Sequence, residues 1–281
     1  MKIGITGATG QLGQLVVQKL KEKNTGAKLV ALVRDPKKAA SLGIEVRTFD
    51  YGQPETLPQA LEGIDHLVFI SGSEIGKRET QHSNVIKAAK QAKVKKIAYT
   101  SLLHADTSSL MLAPEHLATE NMLKESGIPH TILRNGWYTE NYTANLKAAL
   151  EHGAIIGSAG NGKISSATRE DYAEAIAETI TSDAHTGQTY ELAGDQTYTM
   201  QDLAAEVSKQ TGKNIVFLNL PEAEYAQKLQ EIGLPEGMAT AFASLDYSAS
   251  KDDLHNESGT LSQLIKRPTT PLSQAVKAGL K

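Results

Sequence analysis

The chain has 281 residues, of which 40% are hydrophobic, and a formal net charge of −3. This is enough apolar material for a large core with an attached lobe. A slightly acidic chain is a poor candidate for binding nucleic acid, because such proteins usually carry a basic excess. The lack of cysteine excludes disulfides, zinc–thiolate sites and thiol nucleophiles.

The sequence also lacks the signs of export or membrane insertion. Met1 leads directly into a predicted strand, which leaves no space for a signal peptide. No apolar run approaches the length of about 18 residues that spans a bilayer. A chain without cysteine suits a reducing compartment. We therefore expect a cytoplasmic protein that contacts no membrane.

Short apolar runs alternate with amphipathic stretches through the first half of the chain. The predicted strands are Lys2–Thr6, Lys28–Val33, Ile44–Thr48, His66–Ile70, Lys96–Thr100 and His130–Leu133. The predicted helices cover about Gln11–Lys23, Pro36–Leu42, Pro54–Leu61, Glu79–Ala92 and Pro114–Ser126. Strands that alternate with helices predict an α/β fold with a doubly wound parallel sheet covered on both faces.

After Asn135 the alternation loosens. The predicted helices are Glu140–His152, Arg169–Ser182 and Met200–Thr211, the predicted strands are Thr189–Leu192 and Asn214–Leu218, and short helices follow. There is no repeat, low-complexity segment or long linker. We expect a main domain over residues 1–135, with further core elements near 164–195, and a smaller C-terminal lobe mainly over 136–281.

The segment Gly7–Gly13 follows the first predicted strand and opens the first helix. Its glycines suit a tight turn, a close approach of backbone N–H groups to a pyrophosphate, and close packing of the helix on the sheet. The helix N-terminus adds unpaired donors and a partial positive charge. The alternative is a tight turn without a ligand, but the position at the head of a β-α-β unit favours dinucleotide binding and a Rossmann fold.

The end of the second strand indicates which dinucleotide binds. NAD enzymes place an acidic residue there to hold the ribose 2′-hydroxyl, whereas this chain has Arg34 followed by Lys37 and Lys38. A guanidinium pairs with a 2′-phosphate, so we expect NADP(H) rather than NAD(H). Arg34 as an ordinary surface residue is the alternative, and Asp35 would weaken the preference if it turned inward.

Polar residues follow several other strands. Asp50 and Tyr51 end the third strand, where an adenine edge would lie, and Ser71, Gly72 and Ser73 follow the fourth. Thr100 and Ser101 end the fifth. Ligands in open parallel sheets lie beyond the carboxyl ends of the strands, so these residues are placed to line a cofactor and substrate cleft. Local capping of turns by the Ser and Thr hydroxyls is the alternative.

Several stretches resemble one known family. They are Ile5–Gly13, Ala98–Ser108, Leu133–Tyr138, Glu140–Tyr142, Tyr190–Asp195 and Arg267–Thr270. With Arg34, they make the chain similar to the atypical short-chain dehydrogenase/reductase superfamily, and within it to the NmrA-like family with its bacterial NADPH-dependent quinone reductases. The first stretch is shared by the whole superfamily, whereas Leu102–Ser108 and Arg134–Tyr138 are much more specific. The resemblance implies direct hydride transfer from NADPH to a quinone, without flavin or metal.

The resemblance extends the predicted site beyond the glycine turn. It implies that the segment after the sixth strand contacts the nicotinamide half of the cofactor and shapes the quinone pocket. The predicted cofactor-binding residues are Gly7, Thr9, Gly10, Gln11, Leu12, Gly13, Arg34, Asp50, Tyr51, Ser71, Gly72, Ser73, Thr100, Ser101, Asn135 and Gly136. The predicted substrate residues are Trp137, Tyr138, Glu140 and Asn141. Flat aromatic side chains suit stacking on a quinone, although Trp137 could equally anchor the lobe in its core.

One departure from the superfamily bears on catalysis. Typical members carry Tyr-x-x-x-Lys on the helix after the fifth strand, whereas this chain has His116 and Glu120 at those places. Residues at this spacing face one side of a helix and could simply pair at the surface. A quinone substrate explains the loss, because a hydroquinone anion takes its proton from water or a weak donor. No catalytic acid is assigned firmly; His104, His116 and Tyr138 are weak candidates.

Two further hypotheses stay open. The missing Tyr-x-x-x-Lys motif also suits an NmrA-like regulator that binds NADP(H) to sense redox state without turnover. The chain is also similar to NADPH reductases of the isoflavone-reductase type, which usually keep a Lys where Glu120 stands. The sequence leaves the particular quinone, the oligomeric state and any regulatory partner open.

Overall fold

A computed structural model of the protein describes residues 1–144 and 146–281. Its main feature is a seven-stranded parallel sheet with the strand order β3-β2-β1-β4-β5-β6-β8. The strands are β1 (Lys2–Thr6), β2 (Lys28–Val33), β3 (Glu45–Thr48), β4 (His66–Phe69), β5 (Lys96–Leu102), β6 (His130–Asn135) and β8 (Thr189–Leu192). The chain reverses its direction of travel across the sheet between β1 and β4, which opens a crevice beyond their carboxyl ends.

Helices cover both faces of this sheet, and further helices surround a second, two-stranded parallel sheet. The helices are α1 (Gln11–Glu22), α2 (Leu57–Ala60), α3 (Arg78–Gln91), α4 (Ala113–Ser126), α5 (Glu140–Thr143), α6 (Leu146–His152), α7 (Arg169–Ile180), α8 (Met200–Thr211), α9 (Glu222–Glu231), α10 (Glu236–Ala249), α11 (Thr260–Ile265) and α12 (Leu272–Gly279). The small sheet pairs β7 (Ala154–Gly157) with β9 (Val216–Asn219). Two 3-10 helices span Pro36–Leu42 and Asp183–His185.

The period of two along each strand divides the core between the faces of the large sheet. On β4, Val68 joins the layer under α1 and α7, whereas Leu67 and Phe69 join the layer under α3 and α4. Strands buried on both faces read as continuous apolar runs. A third apolar cluster, which includes Leu203 of α8 and Leu245 of α10, forms the core around the small sheet.

The expected α/β Rossmann fold is confirmed, with differences at several elements. The strand β7 was not predicted. The helix expected at Pro54–Leu61 is the single turn α2, and the helix expected at Glu140–His152 is divided into α5 and α6, with residue 145 outside the described residues. Within the described ranges, no helix is long and apolar enough to cross a membrane.

Candidate functional site

The turn between β1 and α1 is built from backbone. Gly7 has a φ of +59°, which L side chains rarely adopt, and its carbonyl accepts a hydrogen bond from the Gly10 N–H at 2.9 Å. A Cβ on Gly13 would lie 2.2 Å from the Gly7 oxygen, so this glycine lets the helix close on the turn. No side chain among the described residues caps α1. The helix therefore offers its first N–H groups and its dipole to an anion.

A cleft of about 400 Å³ opens beside this turn, beyond the carboxyl ends of β1, β2 and β4. We call it the β1–β4 cleft. It brings together these predicted cofactor residues: Gly7, Thr9, Gly10, Arg34, Asp50, Tyr51, Ser71, Gly72 and Ser73. Its other lining residues include Lys38, which the sequence places close behind Arg34, and Glu74 and Gln81, which sequence reasoning did not assign to the site. Lys38 adds a second cationic side chain to the wall that carries Arg34.

Arg34 stands at the mouth of the β1–β4 cleft with 66% of its side chain exposed. Its guanidinium donates a hydrogen bond of 3.1 Å to Glu74. Asp35 accepts from the Lys37 N–H at 3.0 Å and so caps the 3-10 helix that begins at Pro36. The Asp35 carboxylate is thereby occupied by its own turn, and Arg34 is left as the group at the end of β2 that suits an anion.

Tyr51 forms part of the opposite wall. Its hydroxyl is bonded to the Ile70 carbonyl at 2.8 Å and to the Thr6 hydroxyl at 2.6 Å. Burial raises the pKa of Tyr51 well above its usual value, so the group stays neutral. Asp50 accepts from the Gly52 N–H at 2.9 Å. Because the Tyr51 hydroxyl is neutral and bonded within the protein, Tyr51 contributes its ring to the cleft wall and does not act as an acid there.

Thr100 and Ser101 do not line the β1–β4 cleft, in contrast to the expectation for β5. Both are buried. The Thr100 hydroxyl accepts from the Ser71 N–H at 3.0 Å, and the Ser101 hydroxyl donates to the Glu120 carboxylate at 2.6 Å. Both hydroxyls are used in hydrogen bonds within the protein, so they stabilise the structure beneath the cleft and do not face a ligand.

A buried ion cluster lies under the end of β6. Arg134 donates two hydrogen bonds to Glu120, at 2.9 and 2.8 Å, and a third of 2.7 Å to Glu191. Asp106 lies 3.0 Å from the same guanidinium. Hydrogen bonds to Glu120 raise the pKa of Arg134 above its usual value. Sequence reasoning missed this cluster because its members are far apart in the chain, although Arg134 lies in one of the most specific runs.

The alternative that His116 and Glu120 pair with each other at the surface is wrong. Both side chains are buried, and Glu120 pairs with Arg134 instead. The His116 Nδ1 atom is 2.8 Å from the Tyr99 hydroxyl. Burial lowers the pKa of His116 to about 3, so the ring is neutral at ordinary pH. Neither residue of this pair is placed to exchange a proton with a ligand.

His104 has a positive φ of 55° at the turn after β5. Its N–H donates to Glu191 at 2.9 Å, and its Nε2 atom is 3.1 Å from the His255 carbonyl. The ring therefore links this turn to the segment before α11.

Asn135 ends β6 with a buried amide whose nitrogen and oxygen make no hydrogen bond within the described residues. Burying unsatisfied polar atoms is costly, and in native proteins such atoms are usually completed by water or a ligand. Gly136 follows, and its N–H donates to the Leu192 carbonyl at 2.8 Å. A Cβ on Gly136 would lie 3.0 Å from that carbonyl and from the Tyr172 hydroxyl.

The next two residues have different surroundings. Trp137 is half-buried and packs on the apolar cluster around the small sheet. Tyr138 meets Tyr172 edge-on at 5.4 Å, and the Arg169 guanidinium lies 4.4 Å from the centre of the Tyr138 ring. Burial raises the pKa of Tyr138, so its hydroxyl stays neutral.

A second cleft, of about 530 Å³, lies on the other side of the α1 N-terminus. We call it the α5–α12 cleft. It is lined by Gln11, Glu140, Asn141, Thr143, Ala144, Thr168, Arg169, Ala275, Ala278 and Gly279. Arg169 donates from its backbone to Glu140 at 2.9 Å and from its side chain to Asn141 at 2.8 Å. Three predicted residues, Gln11, Glu140 and Asn141, thus meet here, whereas the Leu12 side chain is buried in the core.

Comparisons with known proteins agree with this geometry. A family model described as NAD(P)H-binding matches residues 7–183. Quinone oxidoreductase 2 of Escherichia coli (strain K12) is 55% identical over 277 residues, covering 98% of this chain and 97% of that protein. The crystal structure of an NADPH-dependent quinone oxidoreductase from Escherichia coli, complexed with NADPH, matches with a TM-score of 0.96 and 54% identity, covering 99% of this chain and 100% of that one.

A more distant enzyme shares the same architecture. The crystal structure of the Citrobacter sp. triphenylmethane reductase, complexed with NADP(H), matches with a TM-score of 0.95 and 40% identity, covering 99% of each chain.

The parallel sheet, the glycine turn and the β1–β4 cleft define a dinucleotide-binding α/β protein. The chain belongs to the NAD(P)H-binding family, within its NmrA-like group, as the similarity over nearly its whole length shows. The resemblance read from the sequence is thereby confirmed.

Proposed function

We propose that this protein reduces quinones with NADPH by direct hydride transfer, as a member of the atypical short-chain dehydrogenase/reductases. The observation that carries the proposal is the β1–β4 cleft, where an exposed Arg34 faces a glycine turn that opens an uncapped helix. The 55% identity to quinone oxidoreductase 2 over 98% of the chain supports the choice of substrate class.

The chain fits NADP(H) through its own donors. Backbone N–H groups at Gln11 and Leu12 would hold the pyrophosphate, with Gly7, Gly10 and Gly13 forming the turn. Arg34 would hold the 2′-phosphate. Asp50 and Tyr51 would border the adenine, and Thr9 and residues 71–73 would line the rest of the β1–β4 cleft.

We assign the nicotinamide half to the end of β6. The Asn135 amide, which has no hydrogen-bond partner among the described residues, offers one donor group and one acceptor, which suits the carboxamide of a nicotinamide. Gly136 follows it directly, in a place where a Cβ would come within 3.0 Å of the Leu192 carbonyl and the Tyr172 hydroxyl. Thr100 and Ser101 contribute as supports, since their hydroxyls are bonded inside the protein.

The quinone would lie against Trp137 and Tyr138, with Glu140 and Asn141 at the edge of its pocket. Aromatic faces hold a flat ring without needing charged groups. NADPH supplies the hydride when bound. The chain then has to position two rings and exclude competing reactions, which is the part of catalysis that binding geometry supplies.

A strong acid is not required by this substrate class. His116 and Glu120, which stand where the superfamily keeps its Tyr and Lys, are buried and bonded to Tyr99 and Arg134. A hydroquinone anion is stable enough to take its proton from water, so the loss of this pair costs little. An alcohol or sugar substrate would need the proton-donating Tyr of the superfamily, and this chain has His116 at that position.

We further infer that residues 1–135, with elements near 164–195, form the NADP-binding domain. Most of 136–281 would form the substrate lobe. The lack of cysteine suits the reducing conditions of the cytoplasm.

The direct test is the consumption of NADPH with a panel of simple quinones, with NADH run in parallel and hydroquinone quantified. We expect one hydroquinone for each NADPH and clear preference for NADPH. Tight NADPH binding without turnover of any quinone would contradict the enzyme and support a sensor of NADP(H).

A further inference from the structure

The loop between β4 and α3 is fixed to the protein by its backbone. The Gly72 N–H donates to the His82 Nε2 atom at 2.9 Å, and the Gly72 carbonyl accepts from the Arg78 Nε at 2.6 Å. Farther along, the Gly76 N–H donates to the Glu115 carboxylate at 2.9 Å. A loop held at three points has little freedom to move the side chains that it carries.

The groups that hold this loop are themselves buried. His82 and Arg78 are 0% and 7% exposed. Because the His82 Nε2 accepts from an N–H group, its Nδ1 carries the proton, and this atom is 2.8 Å from the Thr119 hydroxyl. Burial lowers the pKa of His82 to about 3, so the ring remains an acceptor at neutral pH. The loop is therefore anchored on core residues of α3 and α4.

This anchoring brings Glu74 to Arg34. The two side chains are 3.1 Å apart, and the Lys77 ammonium lies 3.2 Å from the other Glu74 oxygen. Hydrogen bonds from Lys77 and then Gln81 hold the pKa of Glu74 below its usual value, so the carboxylate is charged. Glu74 and Arg34 both line the β1–β4 cleft. The cation that we assign to the 2′-phosphate thus already has an anionic partner.

We propose that Glu74 limits the preference of this site for a 2′-phosphate over a 2′-hydroxyl, an inference that rests on the proposed NADP(H) function. A 2′-phosphate that binds Arg34 competes with the carboxylate for the same guanidinium and is repelled by it, because both groups carry negative charge. A 2′-hydroxyl can instead donate a hydrogen bond to Glu74. The fixed loop keeps the carboxylate in place, so the competition cannot be relieved by moving the loop.

The Arg34–Glu74 pair with which the phosphate competes is largely exposed, and this limits the size of the effect. Exposed ion pairs contribute about 0.2–1 kcal/mol, which corresponds to a change of about 1.4- to five-fold in a dissociation constant. Because the interaction is also screened by salt, the effect is expected to shrink as ionic strength rises.

The test compares two adenosine phosphates that differ only in the 2′-phosphate, namely 2′,5′-ADP and 5′-AMP. Titration calorimetry is run on the wild type, Glu74→Gln and the control Glu79→Gln, which removes an equal charge from an exposed position on α3 outside the cleft. We expect Glu74→Gln to bind 2′,5′-ADP about 1.4- to five-fold more tightly at low salt, and to bind 5′-AMP no more tightly than the wild type does. The control should change neither.

The same affinity ratio in Glu74→Gln as in the wild type, or weaker binding of 2′,5′-ADP, would overturn the role of Glu74. An Arg34→Gln variant tests the proposed function separately. It should bind 2′,5′-ADP more weakly than the wild type, whether or not Glu74 competes for Arg34. If the wild type binds both ligands equally, the 2′-phosphate assignment and the role of Glu74 both fall.

Discussion

Two arginines at the same edge of one parallel sheet have opposite surroundings. Arg34, at the end of β2, is 66% exposed in its side chain and pairs with one partly exposed carboxylate. Arg134, which lies in β6, is 8% exposed and faces Glu120, Glu191 and Asp106. An arginine whose donors are taken by its own protein has a structural role, whereas one at the mouth of a cleft retains donors for a ligand. Burial and partners, rather than residue type, separate the two roles.

The largest expected difference between the two arginines is in stability. Arg134→Ala leaves the buried Glu120 carboxylate without its counterion, which should lower the free energy of unfolding by about 3–5 kcal/mol. Arg34→Ala removes only an exposed pair, so its cost should stay below about 1 kcal/mol. Urea denaturation of both variants measures the contrast. Equal losses would contradict the division between a structural and a binding arginine.

The glycine turn before α1 leaves no space for a side chain on Gly13. In Gly13→Ala the new Cβ would lie 2.2 Å from the Gly7 oxygen, so the turn must shift. We expect a loss of about 2–3 kcal/mol in stability, together with weaker NADPH binding, because the N–H groups move. Gly237→Ala is the control, since a Cβ there meets no atom of the described part of the chain within 4 Å. Undiminished NADPH affinity in Gly13→Ala would show that the turn does not hold the pyrophosphate.

The buried His116 should make the stability of the protein depend on pH. His116 has a folded pKa of about 3, well below its usual 6.5, because burial opposes its charged form. The unfolded chain binds more protons between these values, so stability is full above about pH 6.5 and falls toward pH 3.

We expect His116 to account for about 2 kcal/mol of the stability lost between pH 7 and pH 5. In His116→Asn the amide oxygen can replace Nδ1 as the acceptor for Tyr99 without titrating. The difference between the two proteins in urea melts at each pH isolates this contribution from the carboxylates. Parallel pH profiles would contradict it.

Asn135 gives the smallest expected change in stability. It follows Arg134 in the chain and is buried, yet its amide has no hydrogen-bond partner in residues 1–144 and 146–281. Asn135→Leu removes the unsatisfied atoms at similar volume, so the protein should become about 1 kcal/mol more stable while its turnover of quinone falls. Thermal unfolding and steady-state kinetics on one preparation test both effects. A variant that is less stable but equally active would remove Asn135 from the site.

The alternating elements and the glycine turn predicted the sheet, the position of the crevice and the Arg34 wall, because these depend on local pattern and chain order. The helices after Asn135 were predicted less well. The strand β7 has only four residues, and its partner β9 lies some sixty residues later in the chain. The sequence around β7 is therefore too short to show an alternating pattern, and its pairing partner is not a neighbour in the chain.

The buried network could not be predicted from spacing. Glu120 and His116 are four residues apart on α4, which suggested a pair with each other, but Glu120 turns to Arg134 on β6 and His116 to Tyr99 on β5. Only the packing of α4 on the sheet decides between these partners. Glu74 was missed for a similar reason, because its proximity to Arg34 depends on the loop that His82 and Arg78 hold.

The most direct test of the central claim is the ratio of kcat/KM for NADPH over NADH with one quinone, measured for the wild type and Arg34→Gln. The wild type should favour NADPH. The kcat/KM of the variant with NADPH should fall about ten- to a hundred-fold, because a hydrogen bond to a charged group contributes about 1.5–3 kcal/mol. Its kcat/KM with NADH should fall much less. An equal loss with both cofactors would contradict the assignment of Arg34 to the 2′-phosphate.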